Sequence, residues 1–282
     1  MKPERVSYRR RALALAAALA FSLPLAWTAA ASLRQPGLPP PRTFEWLPEP
    51  VAWSNYRRIF EVVPLGRYAL NSLLVTAGAV PLTVITASWA GLALAHMPER
   101  WQRRWLAFTL ALLLVPGTAW WLTRYLLFAR LGLVDHLAVL AAPALMGSSP
   151  LCILLFYWSF RRLPRELFDG ARLEGAGPLT LWRRVALPLA GPATATVAVL
   201  TFMLYWNDFI TPLLYLKTPA LYTLPVGLQQ LQQMDPTNWP LLMAAALVFA
   251  GPPIGLLLLA QPFFLHDHWL RRWRRPADSQ EV

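Results

Sequence analysis

Few residues in this chain have the types and spacing that covalent chemistry needs. Lysine occurs only as Lys2 and Lys217, and neither follows the glycine that a phosphate-cradling Walker A loop requires, so no nucleotide site of that kind is expected. The sequence has no HExxH pair, no nucleophile elbow and no paired carboxylates within an apolar run. His266-Asp267-His268 supplies metal-ligating types, but positions i and i+2 do not share a helical face and no further ligand is near in sequence, so no metal is expected. The lone Cys152 reads as a small buried hydrophobe. Asp208, preceded by Asn207 near the end of an apolar run, is an ionisable group at membrane depth. It reads either as part of a pathway or inter-subunit contact or as an interfacial carboxylate already in water. Tyr205 and Trp206 beside it are aromatics able to face a solute. Arg124, Arg130 and Asp135 lie in a short outer loop that reads either as a contact for an external protein partner or as a solvated turn, and His96 and His136 sit at the ends of apolar runs.

The densest grouping of charge, glycine and proline is Arg161 to Pro192, RRLPRELFDGARLEGAGPLTLWRRVALPLAGP. Pro164 suits the first helical position, Glu166 and Asp169 sit near the positive end of the helix dipole, and Gly175 is a C-terminal stop. A short helix over roughly Pro164 to Glu174 is therefore expected. Gly175 to Gly177 breaks the chain, and Pro178 starts a second helix with Leu181, Trp182 and Val185 on one face. Leu187-Pro188 should end it. Two short helices bent against each other result, unless both simply lie on a membrane surface.

The elements that must position this segment are apolar. Of the 282 residues 56% are hydrophobic and 14% charged, with 14 Trp, a balance that points to an integral membrane protein. Uncharged runs extend over Ala12–Leu33, Tyr68–Pro98, Trp105–Thr123, Leu137–Phe160, Val185–Asn207 and Pro236–His266. Each exceeds the roughly 17 residues that cross a hydrocarbon core, so six spans are expected. The first, behind Lys2, Arg5, Arg9, Arg10 and Arg11, is similar to a signal peptide with Ala29-Ala30-Ala31 as a cleavage site. Its length and the spans that follow favour an uncleaved helix.

The net charge of +12 is explained by topology, and no nucleic acid is expected. Six spans from an internal N-terminus put residues 99–104, 161–184 and both tails on one side. That side holds most of the arginines, as the positive-inside rule requires; Arg34, Arg42, Arg57, Arg58, Arg67, Arg124, Arg130 and Lys217 lie on the other. The organisation expected is a cytoplasmic N-tail (1–11), a first transmembrane helix (12–33), a proline-rich external loop (34–67), a core (68–264) containing the 161–190 loop, and a basic cytoplasmic C-tail (265–282).

The 161–192 stretch resembles the cytoplasmic "EAA" loop of permease subunits of binding-protein-dependent ABC importers. Asp169-Gly170-Ala171 stands at the E-A-A positions, Gly175 at the glycine and Leu187-Pro188 at the closing pair. Gly170 departs from the family's alanine and should weaken the helix by about 1 kcal/mol. Asn71-Ser72-Leu73, Trp206-Asn207-Asp208-Phe209 and Leu221-Tyr222-Thr223-Leu224-Pro225-Val226-Gly227-Leu228 are similar to the carbohydrate-importing branch, of maltose and glycerol-phosphate type. The basic tail is where the likeness stops, because relatives often have a Gly-rich end there.

The resemblance implies an all-α integral membrane protein, with six transmembrane helices of the type I importer permease architecture and cytoplasmic termini, in a bacterial inner membrane. It implies a non-catalytic subunit that binds no cofactor, ATP and Mg being used by a cytoplasmic ABC ATPase dimer. A second homologous permease and an extracytoplasmic sugar-binding protein are the other implied partners, besides the lipid bilayer. Leu167, Phe168, Ala171, Leu181 and Trp182 are then expected to fill a groove on the ATPase, with Arg165, Glu166, Asp169 and Arg172 pairing at its rim. The readings left open are a permease for a non-sugar solute and an integral membrane enzyme.

Overall fold

The computed structural model describes residues 8–41, 46, 48–146 and 149–265. Lys2, Arg5 and the tail with His266-Asp267-His268 and Arg271 to Arg275 lie outside the described residues. Within them the chain is helical and contains no strand. The helices are α1 (Tyr8–Ser32), α2 (Ser54–Val62), α3 (Leu65–His96), α4 (Glu99–Leu114), α5 (Trp121–Arg130), α6 (Ala138–Leu145), α7 (Pro150–Arg161), α8 (Arg165–Leu173), α9 (Pro178–Leu189), α10 (Gly191–Trp206), α11 (Ile210–Tyr215), α12 (Leu224–Met234) and α13 (Trp239–Leu265).

Only α1, α3 and α13 are single helices long and apolar enough to cross a bilayer; the other spans are bent pairs, giving up to six. The 32 residues of α3 rise about 48 Å at about 1.5 Å per residue, enough to cross with some tilt. The expected third span, Trp105–Thr123, is broken: α4 stops at Leu114, and the helical stretch Gly117–Arg130 leaves at 93°. Pro116 is the cause, since it lacks an N–H and forces the preceding residue out of the helical region; Val115 is extended, with ψ 118°. The expected fifth span, Val185–Asn207, is also corrected, because Val185 to Leu189 belong to α9, which meets α10 at 86°.

The chain divides into two compact units, residues 1–68 with 224–252 and residues 69–223 with 253–282. In the first, the stretch expected as an external loop contains α2 and is tied to the end of α1. The Asn55 amide donates to the carbonyls of Ser32 (2.8 Å) and Arg34 (2.7 Å), and the hydroxyls of Ser32 and Tyr56 share a 2.8 Å bond. The proline-rich part is pinned too: Gly37 N–H donates to Asn238 Oδ1 (3.0 Å), and Trp239 N–H to the Leu38 carbonyl (3.1 Å).

In the second unit the core joins α3, α7, α8, α9 and the start of α10 through Ala87, Leu94, Cys152, Phe156, Phe160, Phe168, Leu181, Ala186 and Val197. Cys152 is 1% exposed, as a packing residue would be. The closest approach is at Gly91 of α3. A Cβ there would lie 2.7 Å from Phe156 Cβ, 2.9 Å from the Tyr157 amide nitrogen and 3.1 Å from the Ile153 carbonyl, so α3 touches the backbone of α7. Small residues permit such helix contacts in membranes, where close packing replaces hydrophobic burial as the driving force.

Gly91→Val should therefore cost about 1–3 kcal/mol as α3 and α7 are forced apart. Gly78→Ala, whose new methyl would meet only Ala141 Cβ at 3.8 Å, should be neutral or stabilising. Thermal unfolding of the two purified variants distinguishes the sites; equal melting temperatures would refute the close contact.

Candidate functional site

The 161–190 segment folds by the chemistry of its own residues. Helix α8 starts directly after Pro164 and carries Glu166 in its first turn and Arg172 in its last, both favourable to the dipole. It ends in a Schellman motif: Gly175 is left-handed at φ +84°, its N–H donates to the Arg172 carbonyl (2.9 Å), and Ala176 N–H reaches back to Ala171 (2.9 Å). Nothing lies within 4 Å of a Cβ built on Gly175, so the backbone angle and not crowding demands glycine there. Gly170 is mid-helix, exposed and equally uncrowded.

Pro188 does not end the second helix. The turn before it widens to a π-helical register over Leu181–Ala186, where Leu187 N–H bonds the Trp182 carbonyl five residues back. That register absorbs the missing N–H of Pro188, and the helix runs on to Leu189. The bend falls at Ala190, with φ −93° and ψ 25°, and Thr194 N–H on the Ala190 carbonyl (2.8 Å) opens α10.

The large apolar residues expected to fill a partner's groove point inward instead. Phe168 is 2% exposed and packs edge-on against the His96 ring, with centroids 4.4 Å apart. Leu181 is buried in the same core. Trp182 lies 5.3 Å from Trp89, and its indole N–H donates to Ser88 Oγ (2.8 Å). Leu167 and Ala171 are half-buried. The apolar side chains left facing outward are Leu173, 91% exposed, and Leu179, 60% exposed. Leu173 is five residues from Phe168, about 140° round the helix, so a helical wheel anchored on Phe168 would have found it. Arg165, Glu166, Asp169 and Arg172 are exposed, and Asp169 and Arg172 pair with each other at 2.9 Å. So exposed a pair contributes at most about 1 kcal/mol.

The seat beneath the loop is polar at one edge. Gln102 of α4, 6% exposed, donates to the Leu94 carbonyl in the last turn of α3 (2.7 Å) and accepts from Arg161 at the end of α7 (3.2 Å). One amide thus satisfies an orphan helix carbonyl and joins three helix ends. On the other flank Leu187 and Pro188 line an apolar hollow of about 470 Å³ with Leu256, Leu259 and Phe263 of α13.

The residues proposed near Asp208 are not brought to this loop; α10, about 24 Å long, separates them from it. Trp206 is fully buried and stacks on Phe202 at 5.3 Å. Tyr205 is half-buried beside the cluster of Phe128, Leu140 and Tyr215. Asn207 Nδ2 donates to the Met203 carbonyl (2.8 Å), and Asp208 Oδ1 accepts from Thr211 N–H (3.1 Å) in the first turn of α11. Asp135 lies in an exposed turn and is also a hub. It adopts φ +67° and accepts from the N–H groups of Lys217 and Thr218 (both 2.8 Å) and from the Thr218 hydroxyl (2.6 Å), while its own N–H donates to Tyr215 (2.9 Å).

The chain is thus an all-helical membrane-spanning protein among the described residues, with one capped helix whose charged face points outward. The chain matches the family of binding-protein-dependent transport system inner membrane components over residues 84–261, and it belongs to that family. It is 28% identical over 236 residues to the sulfoquinovosyl glycerol transport system permease protein SmoH of Agrobacterium fabrum, covering 84% of this chain and 82% of that protein. It is 26% identical over 223 residues to the melibiose/raffinose/stachyose import permease protein MelC of Bacillus subtilis, covering 78% and 81%. A chain of a bacterial ABC transporter that imports the acidic polysaccharide alginate shares the fold with a TM-score of 0.71 at 18% identity, covering 94% of this chain and all of that one. The protein is thus a non-catalytic inner-membrane transport component.

Two outcomes follow from the loop chemistry. Gly170→Ala should stabilise α8 by up to about 1 kcal/mol, whereas Gly175→Ala should destabilise its end by about 1–2 kcal/mol through the left-handed angle. Hydrogen exchange of the α8 amides reads both, and a shared sign would refute the capping geometry. At Asp135, three hydrogen bonds to the carboxylate lower its pKa from 3.8 to about 2, the Thr218 hydroxyl first among them. Because the folded value is depressed, this contribution is fully present above pH 3.8 and is lost as pH falls through about 2. A carboxyl resonance titrating at the ordinary value would contradict the hub.

Proposed function

We propose that the chain is one permease subunit of an ATP-driven, binding-protein-dependent importer of a sugar or sugar derivative. It forms the translocation pathway with a second homologous permease. The 161–190 segment couples that pathway to a cytoplasmic ABC ATPase dimer, which uses the ATP and Mg while this chain holds neither. The observation that carries the reading is α8: a capped helix whose buried face is locked to α3 and α7 while Leu173, Gly170 and the charged residues face outward.

The physical logic is that of a lever. A helix held by Phe168 and closed by a Schellman turn moves as a body with the helices it packs on, and a flexible loop would absorb the displacement. Leu173 and Leu179 supply apolar contact, and Arg165, Glu166, Asp169 and Arg172 a polar rim. Phe168, Leu181 and Trp182 transmit the movement to α3 instead of touching the ATPase.

Sugar transport is supported by relatives whose names state sugar cargo, and a binding protein by the family's description. A cytoplasmic position for the loop and both termini is supported by the basic residues of 99–104 and 161–184, as the positive-inside rule expects. Asp135, Lys217 and the turn around them then face the extracytoplasmic partner.

Leu173→Glu and Asp169→Lys should each reduce ATP-driven uptake at least about tenfold, the equivalent of 1.4 kcal/mol of lost docking energy, while membrane insertion is retained. Uptake and ATP hydrolysis measured together in proteoliposomes check this; normal uptake in both variants would sink the docking role.

A further inference from the structure

Two small polar cavities open beside the start of α8, and no partner within the described residues accounts for their charge. The first, about 200 Å³, is lined by Ala95, His96, Phe160, Arg161, Leu163 and Arg165. The second, about 260 Å³, shares Arg161 and Arg165 and adds Met97, Glu99 and Gln102. Its one carboxylate is engaged elsewhere, since Glu99 pairs with Arg103 at 2.6 Å. Arg161 lines both cavities, spends one N–H on Gln102 and lies over the Tyr157 ring at 6.0 Å, which leaves further N–H groups of its fork without a hydrogen-bond partner among the described residues. Arg165 makes no ion pair among the described residues. His96 donates Nδ1–H to the Leu92 carbonyl (3.1 Å), so its neutral ring lines the first cavity without adding a donor. Arg165 is also the first residue of α8, and no side chain caps that end, where Pro164 precedes it. Two arginine forks and an uncapped helix start therefore border one hollow, a combination that suits a tetrahedral oxyanion.

We propose that this hollow binds a phosphate-class oxyanion that clamps the base of the coupling helix to the ends of α3 and α7. The shared chemistry is a phosphate ester, and it has two sources: a phospholipid headgroup or a soluble phosphate. The neighbouring surface of α4 favours the lipid. Trp101 and Trp105 are 44% and 48% exposed, and Arg104 sits 5.3 Å over the Trp101 ring, the arrangement of an interfacial anchor. With its base clamped, α8 follows α3 and α7 more rigidly, so the occupant would tune how much movement passes through the loop.

The test uses the full-length protein in neutral phosphatidylcholine nanodiscs, and it does not depend on which partners the protein assembles with. One arm titrates inorganic phosphate; the other replaces a graded fraction of the lipid with phosphatidylglycerol. The readouts are melting temperature and hydrogen-exchange protection of the amides of residues 165–168. A saturable gain in both is expected in the lipid arm, and a gain with phosphate in neutral lipid would identify a soluble anion instead. Arg165→Gln should weaken it about tenfold or more, as expected for a lost charge-assisted contact, with Arg165→Lys in between. Arg183→Gln, which lines neither cavity, should leave it unchanged. Anion-free melting temperatures establish that the variants fold, and Arg161→Gln replaces Arg165→Gln if it does not. The absence of a saturable effect in both arms, or an equal loss in Arg183→Gln, would overturn the proposal.

Discussion

The burial of Phe168 and Trp182 against α3 is the contact on which the arrangement of the loop depends. A short helix of nine residues has no stability of its own in water, since nucleation costs more than a few turns return. Its order comes from tertiary packing, and Phe168 against His96 supplies it at one end of α3. Trp182 extends the same attachment through its bond to Ser88 and its contact with Trp89. Gly91 lies on the same helix and brings α7 to backbone contact, so the strand of chain entering the loop and the helix leaving it share one support.

That support explains why the two helices can be bent without being loose. The 86° turn at Ala190 and the π-helical register before Pro188 are local departures from regular geometry. Both sit beside buried side chains, with Ala186 and Ala190 almost fully enclosed, so the surrounding core determines the path. The path of the loop is thus fixed by the helices it packs on.

At the far end of α3 a second set of ties holds the loops. Asn71 donates to the carbonyls of Ala220 (3.0 Å) and Tyr222 (2.9 Å), and Asp135 gathers the backbone of Lys217 and Thr218. Both are side chains satisfying irregular backbone, Asn71 where it is part-buried and Asp135 where it is exposed. The same helix is thus anchored at its start by amide hydrogen bonds and at its end by aromatic packing.

Much of this was written locally. Proline at the start and glycine at the end of α8, the long uncharged runs and the arginine distribution determine a helical membrane protein with a structured charged loop, because capping, hydrophobic length and charge placement act over a few residues. The direction of Phe168, Leu181 and Trp182 was decided only by the tertiary structure. An apolar side chain on a short helix can be buried equally well in a partner or in its own chain, and the nearness of Ser88, Trp89 and His96, some ninety residues away in sequence for Trp182, settles it. The breaks at Pro116 and Ala190 differ in the same way. Pro116 breaks α4 by its own stereochemistry, whereas Pro188 is carried through by a widened turn that the packed core sustains, and the bend falls instead at Ala190, where Gly191-Pro192 opens the next helix.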